Sequence, residues 1–279
     1  MTAAETSADA HGPDMATLVP ISALAYVLAV ALHEHGGHAT ACVLLGGHPR
    51  ELGAFYVDCD DAALSSLARR LVQLAGPVAS LILGIAAFSV LPHVSTGKPL
   101  AYYFTWLLGG IGLMSAAGYP LFSGVSGLGD LGTTQDGALF GATPEWLWRT
   151  ALIVAGGIAY WLVVRHLCRT IAPYVGAAGG APMAQARRAT LVSYATGALV
   201  YLAIGAFNPL GWSMIFMSVL PSSLGGTSGL LWMWGVYRRR APAAGAGAKL
   251  GFPRDGKWIA VSVLVVLAYA AIFGPSLKR

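Results

Sequence analysis

The residues Leu32-His33-Glu34-His35-Gly36-Gly37-His38-Ala39 place three histidines and a glutamate within six positions, at the end of the first long apolar run. Ionisable side chains at membrane depth are costly and are kept for a function or with a satisfied partner. Imidazoles beside a carboxylate are the donors of zinc chemistry. In the HExxH pattern two histidines four apart on a helix share a face and bind the ion, while the glutamate polarises the attacking water. Here the step from His33 to His38 is five residues. At 3.6 residues per turn it rotates by about 140°, so a regular helix points the two rings apart. Two arrangements restore convergence. A π-type widening takes up one extra residue, and Gly36 and Gly37 make it cheap. It brings His33 and His38 to one face and leaves Glu34 as base, and it is preferred because it keeps two imidazoles on the ion. Alternatively the helix is regular and Glu34, His35 and His38 converge, with Glu34 and His38 as ligands.

Zinc needs a third protein ligand and one open position. Asp130 is the foremost candidate, because it falls at a Gly- and Ser-rich break, Ser123-Gly124-Val125-Ser126-Gly127-Leu128-Gly129-Asp130-Leu131-Gly132. His48, Asp58 and Asp60 compete with it. His35 reads as a supporting or solvated residue, His48 and His93 as interfacial, and His166, beside Arg165 and Arg169, as solvated or lipid-facing.

The elements that must position these residues are membrane helices. The chain has 279 residues, 56% hydrophobic and 10% charged, whereas a soluble domain carries about a quarter charged residues. That excludes a soluble enzyme with one large core. The net charge of +5 lies mostly in loops, which fits membrane orientation and contact with anionic lipid, not nucleic-acid binding. Three cysteines, Cys42, Cys59 and Cys168, are odd in number and widely spaced. They form neither a disulfide framework nor a CxxC metal pair and read as packing residues. The polar tail 1–15 begins with fourteen residues free of Lys and Arg, unlike the basic start of a cleaved signal peptide, so the first apolar run is expected to stay in the protein.

A span needs about 20 apolar residues. Seven segments qualify or nearly do: 16–45, closed by Gly46-Gly47; 71–91, opening with Leu74-Ala75-Gly76-Pro77-Val78, whose small residues permit close packing; 100–120; 150–164, preceded by Trp146 and Trp148; 190–207; 212–237, interrupted at Pro221 and Gly225-Gly226; and 258–273. Residues 48–67 form a polar interlude in which 52–57 reads as a short strand. A Gly/Ala/Pro stretch covers 173–186 and a basic segment 238–257. The expected fold is therefore an all-α polytopic, multi-pass integral membrane protein with six to eight transmembrane helices and a short strand-like segment after the first. With seven spans and the N-terminus inside, the basic 165–188 and 238–257 segments are cytoplasmic as the Lys/Arg rule asks. Arg50, Arg69 and Arg70 then fall outside, against that rule. An extra crossing within 121–145 would remove the conflict, so orientation stays open.

Leu32-His33-Glu34-His35-Gly36-Gly37-His38-Ala39-Thr40-Ala41 resembles the HE-x-GHA motif of the site-2 protease, or M50, class of intramembrane zinc metalloproteases, with one extra residue. Leu44-Leu45-Gly46-Gly47 resembles that class's helix end before a strand-like segment, Leu74-Ala75-Gly76-Pro77-Val78 its AGP-type helix, and Gly127-Leu128-Gly129-Asp130 its ligand-Asp motif. The resemblance spans roughly residues 20 to 135. It implies a metalloprotease-like membrane core over 16–135, followed by additional transmembrane helices over 136–279. It also implies His33, His38 and Asp130 as zinc ligands, Glu34 as general base, and hydrolysis of peptide bonds in a transmembrane or membrane-adjacent protein substrate within the lipid bilayer. Tyr119-Pro120-Leu121-Phe122-Ser123-Gly124 departs from the class's Asn/Pro-rich approach to the Asp. The alternative is a catalytically silent relative, or a metal- or proton-handling membrane protein. Gly124-Val125-Ser126-Gly127 also resembles the serine motif of rhomboid proteases, but a serine nucleophile needs a histidine in reach. The only downstream one is His166, and Gly226-Thr227-Ser228-Gly229 repeats the pattern.

Overall fold

The computed structural model describes residues 13–94, 97–134, 137–176, 178, 180–239 and 250–278. Most of the N-terminal tail, residues 177 and 179 of the Gly/Ala/Pro stretch, and residues 240–249 of the basic segment lie outside them. The described residues form seven helices: α1 (Met15–Leu44), α2 (Ser66–His93), α3 (Pro99–Ser126), α4 (Glu145–Val175), α5 (Ala181–Gly205), α6 (Trp212–Arg238) and α7 (Gly256–Phe273). A small sheet joins β1 (His48–Leu52), β2 (Val57–Asp60) and β3 (Leu277–Lys278) in the order β2-β1-β3.

Six of the helices, all but α5, are long and apolar enough to cross a membrane, which is consistent with a multi-pass membrane protein. Their outward faces carry Leu81, Ile82 and Ile85 on α2, Val154 and Ile158 on α4, and Leu264 and Leu267 on α7, all exposed. An apolar belt of this kind suits lipid, not water. The segment expected at 190–207 is present as α5 but starts nine residues earlier and holds Arg187 and Arg188. It is less apolar because it carries these arginines and polar residues that pack inward: Thr190, Ser193, Thr196 and Tyr201 are buried. Ser193 bonds Ser22 at 2.8 Å and Tyr103 at 2.7 Å, and the Tyr201 hydroxyl donates to the Tyr26 carbonyl at 2.8 Å. Such interhelical hydrogen bonds hold bundles together where apolar burial gives no net drive.

These contacts also set direction. Ser22 meets Ser193 and Tyr26 meets Tyr201, so α1 and α5 run parallel. Tyr102 packs on Tyr174, while the Arg149 guanidinium reaches the Gly124 carbonyl, so α3 and α4 run antiparallel. The chain thus alternates between two ends of the bundle. One end carries the hairpin β1–β2, the 127–144 loop and β3. The other carries the start of α1 and the α2–α3, α4–α5 and α6–α7 connections.

Three expectations need correction. The 52–57 run is not one strand: Leu52 ends β1, Val57 opens β2 and 53–56 is the hairpin loop between them, closed by Gly53 N–H donating to Tyr56 O at 3.0 Å. Ala54 and Phe55 are apolar because the loop enters the bundle: both are buried, and the Tyr269 hydroxyl donates to the Ala54 carbonyl at 2.8 Å. Among the described residues of 121–145 there is no extra crossing. Instead α3 runs through Pro120 to Ser126 and ends on Gly127, with φ +79°, before an irregular loop. Cys42 and Cys59 are not mere packing residues. They form a disulfide that ties the end of α1 to β2, while Cys168 is not part of a disulfide.

Candidate metal centre

Within α1, residues Leu32–Ala39 form a π-helix. Its backbone bonds reach five residues back, with Thr40 N–H donating to the His35 carbonyl. Residues five apart therefore share a face, and His33 and His38 converge as the widened-helix reading requires. The regular-helix alternative, with Glu34, His35 and His38 together, is not what the backbone adopts.

His33 Nε2 and His38 Nε2 lie 3.3 Å apart. Asp130 Oδ2 is 3.1 Å from the first and 3.4 Å from the second. The three form the group that could hold a metal ion among the described residues. Atoms bound to a tetrahedral zinc at about 2.0–2.1 Å lie roughly 3.3–3.4 Å from one another, so the donor set fits such an ion without rearrangement. The far nitrogens are tethered. His38 Nδ1 donates to the Val72 carbonyl at 2.8 Å, and His33 Nδ1 bonds Ser80 Oγ at 2.9 Å. A donating Nδ1–H leaves the Nε2 lone pair of His38 facing the centre, the supporting arrangement typical of ligating imidazoles. Tyr119 stacks on the other face of His33, ring centroids 4.7 Å apart and 13° from parallel.

The supporting residues come from one stripe of α2. Val72, Gly76 and Ser80 are four apart and so face the same way. Gly76 provides the space: a Cβ there would sit 2.2 Å from His38 Nε2 and 2.6 Å from His33 Nε2. Gly37 answers from α1, where a Cβ would come within 2.7 Å of both the Ala75 carbonyl oxygen and Gly76 Cα. The two helices touch backbone to backbone at the site. Small residues in the 74–78 segment signalled that close approach. The Val72–Gly76–Ser80 stripe, as support for the histidines, went unread, though its four-residue spacing was visible.

Asp130 is delivered by the loop after α3. Gly127 O accepts from Thr133 N, Thr134 N and Thr134 Oγ1, and Asp130 O accepts from Ala138 N at 2.8 Å. Arg70 of α2 reaches across to the carbonyls of Ala138 and Phe140, 2.8 Å each. Gly129, with φ +78°, makes the turn before Asp130, a conformation glycine adopts without steric cost. Burial alone would push the Asp130 carboxyl up, but the His38 and His33 imidazoles beside it prevail and hold it below the usual carboxylate range.

Glu34 is 4% exposed. It stands close enough to interact with His33, His38 and Asp130, and no hydrogen bond engages its carboxyl among the described residues. It is a buried carboxylate beside the donor trio with its oxygens uncommitted. His35 points elsewhere, packing on Phe273 with ring centroids 4.2 Å apart and lining a shallow groove of about 310 Å³ with Val43 and Leu44; neither ring nitrogen has a hydrogen-bond partner among the described residues. The competing candidates lie in the hairpin and not among the donor trio: His48 stands opposite Asp60 in the backbone ladder, and the Asp60 carboxylate binds Arg50 at 2.8 Å. His48, Asp58 and His93 are exposed, whereas His166 is partly covered and sets its ring edge-on to Phe88 at 4.5 Å.

At the serine pattern 124–127, no histidine is hydrogen-bonded to Ser126 among the described residues. Ser126 Oγ donates to the Phe122 carbonyl. His166 lies next to Leu167, whose side chain is level with Gly110, sixteen residues or roughly 24 Å down α3 from Ser126.

No family model matches the chain, and neither a curated protein nor a solved structure does.

Proposed function

We propose that the chain is a membrane-embedded zinc metallopeptidase of the site-2 type, hydrolysing peptide bonds of a transmembrane or membrane-adjacent polypeptide. One observation carries the reading: His33 Nε2, His38 Nε2 and Asp130 Oδ2 stand 3.1, 3.3 and 3.4 Å from one another, the spacing of three corners of a tetrahedral zinc shell. When bound, zinc makes its water a nucleophile near neutral pH and polarises the scissile carbonyl. His33, His38 and Asp130 would hold it. Ser80 and the Val72 carbonyl keep the two imidazoles turned inward. The Glu34 carboxylate, uncommitted beside the trio, takes a proton from the attacking water and hands it to the departing amine. Burial of His33, Glu34 and His38 excludes bulk water, which strengthens each of these interactions.

The 3.1 Å contact between His33 Nε2 and Asp130 Oδ2 is also a satisfied hydrogen bond by itself. It favours a second reading, a silent or proton-handling polar cluster. Metal content separates the two. The detergent-purified protein is expected to hold about one zinc per chain, lost in His38→Ala and in Asp130→Ala. Glu34→Gln is expected to keep the zinc while cleavage of a membrane-segment peptide in liposomes falls by about 10²–10⁴. A wild-type protein that takes up no zinc would establish the second reading.

A further inference from the structure

Resting on the membrane reading above, we propose that the His33–His38–Asp130 centre opens toward the oxidising, extracytoplasmic side, and that its polypeptide substrate is presented from that side. The alternation of the helices puts the hairpin, the 127–144 loop and β3 at one end of the bundle, and the site belongs to that end. His38 and His33 lie six and eleven residues before the end of α1, roughly 9 and 16 Å below it. The His33 and His38 side chains are 5% and 9% exposed, whereas that of Asp130, delivered by the end loop, is 16% exposed. The most exposed of the three donors is thus the one that the loop end supplies.

Two independent features say which side that is. Cys42 and Cys59 are joined at this same end. Disulfides persist in oxidising compartments and are rare in the cytosol. The cations sort the other way. At the opposite end the described residues include Lys98, Arg165 and Arg169, Arg187 and Arg188, Arg238 and Arg239, and Arg254 and Lys257, nine in all. The site end has five: Arg50, Arg69, Arg70, Arg149 and Lys278. Short cytoplasmic loops are the ones enriched in Lys and Arg. Four of the five are committed locally: Arg50 to Asp60, Arg69 to the Leu64 carbonyl, Arg70 to Ala138 and Phe140, and Arg149 to Gly124 and Val125. Their presence outside is thus a structural matter, and the conflict with the charge rule dissolves.

The test uses the full chain in cells with a reducing cytoplasm. Thiols of the wild type are counted by alkylation after denaturation. One is expected to react without reduction, Cys168, and three after it. Separately, Phe140→Cys in the Asp130 loop and Lys98→Cys at the opposite end, both exposed positions, are treated with a membrane-impermeant maleimide. Phe140→Cys is expected to label fully in intact cells, and Lys98→Cys only after lysis, against an unlabelled parent. Three free thiols, or the reverse labelling pattern, would overturn the proposal. Recovery in the soluble fraction would overturn it together with the membrane reading. The expected labelling on a protein that binds no zinc would sink the peptidase reading alone and leave the orientation standing.

Discussion

Replacing Gly76 with alanine isolates the proposed metal centre from the fold around it. The added Cβ would sit 2.2 Å from His38 Nε2 and 2.6 Å from His33 Nε2. Carbon and nitrogen do not approach so closely, so the rings must retreat by roughly 1 Å. Neither can do so freely, since His38 is tethered to Val72 and His33 is held between Ser80 and Tyr119. A metal–ligand distance tolerates about 0.2 Å, so at least one imidazole leaves the ion. We expect zinc affinity to fall at least about 100-fold, near 2.8 kcal/mol at 1.4 kcal/mol per tenfold. Helix propensity works the other way, favouring alanine by up to about 1 kcal/mol, so metal loss should not come from unfolding of α2. Chelator competition in detergent measures the affinity, and thermal unfolding of the metal-free proteins measures the fold. Gly157→Ala on α4, whose Cβ would meet nothing within 4 Å, is the control. A Gly76→Ala protein that binds zinc within about threefold of wild type, under 0.7 kcal/mol, would refute the assignment of His33 and His38 as paired ligands.

Further outcomes follow from the supporting contacts. Ser80→Ala removes the hydroxyl bonded to His33 Nδ1, and zinc affinity should drop about 10- to 100-fold, read by the same competition. Arg70→Ala releases the carbonyls of Ala138 and Phe140. Hydrogen exchange across 127–140 should quicken and zinc dissociation with it, while the helices stay protected. Joint replacement of Cys42 and Cys59 by serine opens a link across a sequence separation of 17, and chemical unfolding should report a loss of about 3 kcal/mol.

The five-residue step between His33 and His38 carried more information than its mismatch with the usual motif suggested. A helix of fixed pitch cannot bring those rings together, so the requirement for convergence already specified a local change of pitch, and the glycines marked where it was cheap. Asp130 was legible for a similar reason: a lone carboxylate in irregular backbone at a helix end needs a partner. The α2 stripe was harder to read, because a carbonyl, a missing Cβ and a serine hydroxyl have no chemical signature until the histidines they face are known. The hairpin misled because Leu52, Ala54 and Phe55 are apolar for a tertiary reason, insertion into the bundle, and not from strand alternation.

The disulfide was missed through a count. Three cysteines are odd, but parity constrains pairing only when all share a compartment. Cys168 is buried in α4 against the Met233 carbonyl, toward the opposite end of the bundle from Cys42 and Cys59, so it never belonged to the sum. The same topology that removes Cys168 from the count separates the cations of the two ends. Once α1, α2 and α3 are known to alternate, the redox pair, the paired arginines and the Asp130 loop all fall at one end. A membrane chain is thus better read end by end than whole: charge, cysteine parity and ligand candidates acquire meaning only after each is assigned to a side.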